Sequence, residues 1–204
     1  MKTGIYLSYI GLGANLLHLS YCHQIAKKYG PVTIITLCKN LEEALADDPL
    51  IKKVYYLDKF QKKIFDILKL SKILKEFNFQ NLLIFYPSLR INLAAKIAGI
   101  RNIWSYKFFK KKNLHLINAA KSLTKTFLQI DNCATETNFF IKDERILEVN
   151  KKLNNNSFRI VIGAGSSGPT TRWGSNNFAK LINNLNEIGD FFFLILCGSN
   201  EKKI

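Results

Sequence analysis

The sequence predicts an α/β doubly wound fold with parallel strands, and three observations predict it. Short apolar runs alternate with longer segments of helical periodicity along the whole chain. The runs are continuously apolar or β-branched, as strands buried on both faces of a parallel sheet require. Residues 158–173 (FRIVIGAGSSGPTTRW) then read as a strand, a glycine- and hydroxyl-rich loop, and the approach to a helix from about Ser175.

Residues 4–10 form the first strand candidate, and Gly11-Leu12-Gly13 a tight turn. From Ala14 to Tyr29, Leu16, Leu17, Leu19, Cys22, Ile25 and Ala26 recur at helical spacing, and Gly30-Pro31 stops the helix. Residues 32–37 are the second strand. Residues 40–45 are a short helix, with Asn40 as a cap candidate and Glu43 three residues on. Asp47-Asp48-Pro49 breaks it as helix-end turn chemistry, and residues 54–57 are the third strand. Residues 59–77 form a long amphipathic helix with Ile64, Ile67, Leu68, Leu70, Ile73 and Leu74 inward. Residues 82–85 are a fourth strand, 89–98 a helix ended by Gly99, and 102–106 a fifth strand. A basic run at 107–112, a helix over about 114–128 and a short strand at 137–141 follow.

Residues 148–157 are polar and rich in breakers, so a domain boundary is expected there. It separates a Rossmann-like domain over residues 1–150 from the beginning of a second one over 157–204. The second holds the opening loop, a helix at 176–188 and a strand at 191–197. Two strands and one helix bury little apolar surface, so this part reads as incomplete.

Composition narrows the class. With 48% hydrophobic and 22% charged residues in 204, a packed core is expected and disorder is not. The formal net charge of +15 suits nucleic acid, an anionic membrane face or a phosphorylated ligand. Most of the cations are scattered lysines, which also fits a solvated surface. Only five arginines occur, Arg90, Arg101, Arg145, Arg159 and Arg172, so each has a stronger claim to a specific role than a lysine has. No recognition-helix or RNP-like motif supports nucleic acid. Cys22, Cys38, Cys133 and Cys197 form no Cys-x-x-Cys pair, which fits a reducing cytoplasm. Cys38 and Cys197 end apolar runs as small buried hydrophobes. No signal peptide is evident, and no apolar run approaches a membrane span.

The loop after residue 162 carries the clearest chemistry. Gly163, Gly165 and Gly168 permit close backbone approach to a ligand, Ser166, Ser167, Thr170 and Thr171 offer hydroxyls, and Arg172 offers a fixed positive fork. The N–H groups at the start of the next helix favour an anion. The loop lacks the Gly-Lys-Ser/Thr of a Walker site. An ordinary βα turn uses the same small residues.

Several short motifs, in order, resemble the family 9 glycosyltransferases, the ADP-heptose–lipopolysaccharide heptosyltransferases. They are Gly13 with Leu16, Leu17 and Leu19; Leu89-Arg90 with Leu93-Ala94 and Gly99; His115 heading a helix; Arg172-Trp173 with Phe178-Ala179; and Gly198 with Glu201. The resemblance implies a GT-B-type fold of two Rossmann-like domains, truncated here in the second. It implies transfer of a sugar, heptose foremost, from a nucleotide-diphosphate sugar such as ADP-heptose to a lipopolysaccharide or other glycolipid acceptor, with no metal or cofactor. Donor contacts would come from Ser166, Ser167, Thr171, Arg172 and Glu201, and acceptor contacts from Gly13, Asn15, Arg90 and His115. Apart from the resemblance, cysteine usage suits the cytoplasm, the positive charge suits peripheral contact at the cytoplasmic face of the inner membrane, and no nucleic-acid partner is expected. The chain departs from the family pattern where the catalytic carboxylate belongs, because Ala14 stands there. The later Asp-Thr-Gly segment is absent from the 204 residues.

His18, one turn beyond Gly13, is the candidate substitute base, with a partly exposed helix position as its ordinary reading. His23 reads as structural, and Trp173 as a packing residue that fixes the loop. A degenerate relative that binds a sugar nucleotide or glycan without turnover is the competing reading.

Overall fold

The computed structural model describes residues 2–58, 64–106, 115–153, 157–165 and 173–197. The chain forms two compact units, Met1–Lys142 and Asp143–Ile204. The division falls ahead of the expected boundary at residues 148–157.

The first unit is a five-stranded parallel sheet. Its strands are β1 (Thr3–Leu7), β2 (Val32–Thr36), β3 (Ile51–Tyr56), β4 (Asn81–Ile84) and β5 (Asn102–Ser105), in the spatial order β3-β2-β1-β4-β5. All four pairings are parallel. The central strands β1, β2 and β4 are buried along their whole length, which is why they read as unbroken apolar runs.

Helices cover both faces. Helices α1 (Leu12–Leu16), α2 (Leu19–Tyr29), α3 (Leu41–Ala44) and α6 (Leu116–Leu128) contribute to one core around Ile5, Leu7, Ile34, Leu83 and Phe85. Helices α4 (Ile64–Phe77) and α5 (Leu89–Ile97) pack on the opposite core, around Tyr6, Ile35, Leu82 and Ile84. The two cores follow from strand geometry, since successive side chains point to opposite faces. Gly30 (φ 86°) and Gly99 (φ 79°) supply the left-handed backbone just beyond α2 and α5.

The second unit holds α7 (Asp143–Lys152), β6 (Phe158–Gly163), α8 (Ser175–Asn186) and β7 (Phe191–Leu196). Strands β6 and β7 pair in parallel from Phe158↔Phe191 to Gly163↔Leu196. Ile162 is buried, whereas Val161, Ile195 and Leu196 are exposed. Among the described residues, no helix is long and apolar enough to cross a membrane.

Several local expectations change. The expected helix from Ala14 to Tyr29 is two helices, because the chain tightens at His18. The His18 N–H bonds back to Asn15 O at 3.0 Å, one residue short of the α-helical partner. The Ala14 carbonyl left over is met by His18 Nδ1 at 2.8 Å. Residues 137–141 form no strand, and just beyond them Lys142 N donates to Asp47 Oδ2 at 3.3 Å. Asp143–Lys152 is a helix where a polar connection was expected, although none of its side chains is buried. Asn40 makes no side-chain cap bond. Leu17, Leu68 and Cys197 are exposed, against inward or buried expectations. His23 is structural as read: its Nε2 donates to Asp48 Oδ2 at 2.6 Å, and Asp48 Oδ1 accepts from Leu50 N.

One backbone position tests the packing directly. A Cβ on Gly4 in β1 would lie 2.7 Å from the Phe79 ring. That ring is buried and stacked on Phe77 at 5.2 Å, so it cannot swing aside freely. Gly4→Ala is expected to destabilise the first unit by about 2 kcal/mol, read from urea or thermal unfolding. Wild-type stability in the variant would show that Phe79 repacks without cost.

Candidate functional site

In an open parallel sheet, ligands bind beyond the carboxyl ends of the strands where the strand order reverses. Here that point lies between β1 and β4, whose next neighbours are β2 and β5 respectively. The chain leaving β1 runs through residues 8–11, and the chain leaving β4 runs through Phe85, Tyr86, Pro87 and Ser88.

Asn15 anchors this edge from within α1. It is buried, and its Nδ2 donates to Tyr9 O at 2.9 Å and to Gly11 O at 2.7 Å. Its Oδ1 accepts from Thr36 Oγ1 at 2.9 Å, and Thr36 Oγ1 in turn accepts from Cys38 N at 3.0 Å. One amide thereby ties the exit of β1 to the end of β2. Asn15, expected as an acceptor contact, directs three hydrogen bonds into the protein.

His18 lies just behind. It is fully buried, where a partly exposed position was expected. A carbonyl can only accept, so the bond to Ala14 O places a proton on Nδ1 and leaves the lone pair on Nε2. That lone pair faces Tyr106 Oη at 3.3 Å. The imidazole stacks on Tyr9 with centroids 5.0 Å apart and meets Phe85 edge-on at 5.3 Å. Burial pushes its pKa below the ordinary value, and the bond to Ala14 O partly opposes that shift.

Four aromatic residues complete the edge, and none was foreseen as a site residue. Tyr9 Oη donates to Phe85 O at 2.9 Å, joining the exits of β1 and β4. Tyr86 meets Tyr9 edge-on at 6.0 Å. Burial, with the neighbouring Tyr86 adding to it, pushes the Tyr9 phenol up to about 12. Burial also raises the Tyr106 phenol well above its usual range. Each of these residues follows an apolar strand within one to three positions, the signal that could have flagged them.

The other expected acceptor residues border the same edge. Gly13 is exposed within α1, and a Cβ there would meet open space. Arg90 is exposed in the first turn of α5, behind the Ser88 cap, whose Oγ accepts from Ile91 N at 3.4 Å. His115 is exposed and caps α6, its Nδ1 accepting from Ile117 N at 3.4 Å. With Nδ1 engaged as acceptor, the neutral ring carries its proton on Nε2 and offers it outward as a donor. The donor residues Ser166, Ser167, Thr171, Arg172 and Glu201 lie outside the described residues, as does the basic run 107–112. Beside them, Trp173 meets Phe178 edge-on at 5.0 Å and is itself half exposed.

The edge is short of acid. Among the described residues, the stretches 8–14, 85–90 and 105–106 contain no Asp or Glu. Aromatic rings line the described edge, and Arg90 and His115 are exposed beside it.

No protein-family model matches the chain, and no curated protein does. Solved structures do. A family 9 glycosyl transferase from Veillonella parvula superposes with a TM-score of 0.76 at 15% identity, covering 99% of this chain and 64% of that one. ADP-heptose LPS heptosyltransferase II of Escherichia coli gives 0.71 at 14% identity, with 98% and 66% covered. The E. coli heptosyltransferase WaaC with ADP gives 0.65 at 12% identity, with 98% and 67% covered. The chain thus has the GT-B-type fold of these glycosyltransferases over about two thirds of their length, as the motif resemblance led one to expect.

Two predictions follow from the edge. Asn15→Ala leaves the Thr36 hydroxyl and two loop carbonyls without this partner, and is expected to cost about 2–4 kcal/mol in denaturant unfolding. Thr36→Val is expected to cost less, because it removes two bonds, those with Asn15 Oδ1 and Cys38 N, rather than three. The second concerns His18. Its folded-state pKa lies below 6.5, so its contribution is fully present above pH 6.5 and is lost as pH falls toward the folded value. Melting temperature from about pH 8 to about pH 5 should therefore drop more steeply in wild type than in His18→Gln. Equal slopes would show that His18 takes up its proton freely in the folded chain.

Proposed function

We propose that this chain is part of a glycosyltransferase that moves a sugar, heptose foremost, from a nucleotide-diphosphate sugar to a lipopolysaccharide-core-type acceptor. One observation carries the reading: a parallel sheet whose order reverses between β1 and β4 is followed by β6 and α8, with a glycine- and hydroxyl-rich sequence between these two, in the fold of heptosyltransferases. Among those neighbours, one is an E. coli enzyme with ADP.

The acceptor would lie against the edge of the first sheet. Tyr9 and Tyr86 offer ring faces to a sugar, and Arg90 and the outward Nε2–H of His115 offer donors to an acidic group on it. The donor diphosphate would lie on the loop with Ser166, Ser167, Thr171 and Arg172, with Glu201 toward the ribose. Transfer breaks the bond from the anomeric carbon to the diphosphate, forms one to the acceptor oxygen, and releases the acceptor proton. The loop hydroxyls, Arg172 and the amides at the start of α8 would stabilise the charge developing on the leaving diphosphate.

A second reading is a relative that binds a sugar nucleotide or glycan without turnover. The acid-free edge and the full burial of His18 favour it, because a base must reach the hydroxyl it deprotonates.

Calorimetric titration with ADP- and UDP-sugars tests the donor assignment. Ser166→Ala, Ser167→Ala and Arg172→Ala combined are expected to weaken binding about a hundredfold. Unchanged affinity would sink the site assignment. A transfer assay with deacylated lipopolysaccharide core separates the two readings. Turnover by wild type removes the non-catalytic one, and turnover appearing only in Ala14→Asp supports it.

A further inference from the structure

Helix α5 has two distinct sides. Ile91, Ala94 and Ala95 are buried against the sheet. Outward, Leu89, Leu93 and Ile97 are 72%, 48% and 51% exposed. Their i, i+4, i+8 spacing makes one continuous apolar ridge. At about 100° per residue they fill the middle of an exposed arc of roughly 120°, with Lys96 on one flank and Arg90 on the other. The run from Leu89 to Arg101 contains no acidic residue.

Helix α4 packs beside α5 and adds one exposed leucine among lysines. Leu68 is 60% exposed, and Lys69, Lys72 and Lys75 share its outward arc. Glu76 is the acidic residue exposed on this helix among those whose side chains are described. The α5 ridge, flanked by its own cations and by the lysines of α4 with Glu76 among them, is the pattern of a surface that meets hydrocarbon and negative charge together.

We propose that the outer face of α4 and α5 binds the surface of an anionic lipid bilayer. Charge complementarity selects this occupant. The face is cationic and nearly free of acid, and it belongs to a chain of net charge +15. A bilayer of anionic lipid supplies apolar contact for the ridge and headgroup charge for the flanks, without requiring a shaped pocket. The lysine stems lie along the ridge while their ammonium groups reach the headgroups. The face runs from the ligand edge of the sheet, because α5 begins at Ser88, immediately beyond β4. Adsorption there would bring a membrane-embedded acceptor alongside that edge. The purpose of the contact rests on the glycolipid-acceptor reading; the contact itself does not.

Vesicle sedimentation tests it, with phosphatidylcholine alone and with phosphatidylcholine containing about a third phosphatidylglycerol. Wild type is expected to sediment with the anionic vesicles and to remain in solution with the neutral ones. Leu93→Gln with Ile97→Gln, and separately Lys72→Glu with Lys96→Glu, should each lower the partition coefficient about tenfold or more. All four positions are exposed, so circular dichroism and melting temperature should match wild type. Absence of binding to anionic vesicles overturns the proposal. So does binding that the Leu93/Ile97 pair leaves unchanged, which would be diffuse attraction to lysine. A dimer in ultracentrifugation that the same pair abolishes would assign the ridge to a second copy of the chain, and also overturns it. The assay contains neither donor nor acceptor, so failure to bind a nucleotide sugar would leave its result standing.

Discussion

The buried amide of Asn15 is the interaction on which the ligand edge depends. Parallel strands do not connect through tight hairpins, so their carboxyl ends emerge as separate loops. Something must hold those loops in register if they are to form a site. Asn15 does this with donors to Tyr9 O and Gly11 O and an acceptor for Thr36 Oγ1. Tyr9 extends the tie to the next strand exit through Phe85 O. The exits of β2, β1 and β4 are thus linked by side chains whose polar groups are shielded from water, where a lost partner costs most.

This tie accounts for the break between α1 and α2. Asn15 must sit on a turn close enough to β1 to reach Tyr9 O and Gly11 O, while α2 must lie along the sheet to bury Tyr21, Cys22 and Ile25. The change of path falls at His18, which takes the stranded Ala14 carbonyl with its ring nitrogen. The imidazole is therefore a helix joint before it is anything else. Its stacking on Tyr9 and its approach to Tyr106 also make it the wall between the edge and the core.

The sheet was legible because burial on both faces leaves an unbroken apolar run, and β1, β2 and β4 show that signature in full. The break at His18 was not legible, because Leu16, Leu17 and Leu19 continue the helical period across it. Helix α7 escaped notice for the opposite reason: it buries none of its side chains, so no periodic core face marks it. The places of Gly13, Arg90 and His115, on the segments that follow β1, β4 and β5, could be read because they fit a known order of motifs. Asn15 could not be told from a ligand contact, since its partners lie as far off as Thr36 and appear only once the strands pair. Tyr9, Phe85, Tyr86 and Tyr106 were passed over because an aromatic residue after an apolar run reads as more core.

The same edge constrains the chemistry it can host. A carboxylate base would need water or donors to hold its charge, and the described residues that follow β1, β4 and β5 along this edge, 8–14, 85–90 and 105–106, include no acid. Burial depresses His18, so it meets the edge as a neutral ring with its lone pair turned toward Tyr106. Both phenols at hand are pushed upward and stay protonated at neutral pH. On the proposed reading, ring contact and cations would hold a sugar bearing negative charge at this edge. Deprotonating that sugar is a separate demand. Placing a carboxylate at Ala14 would add charge one turn of helix before His18, whose Nδ1 is already bound to the Ala14 carbonyl. The new charge would draw a proton onto the imidazole, opposing the burial that now keeps it neutral. The uncharged joint and an acidic catalytic group therefore compete for the same few residues, and in this chain the joint occupies them.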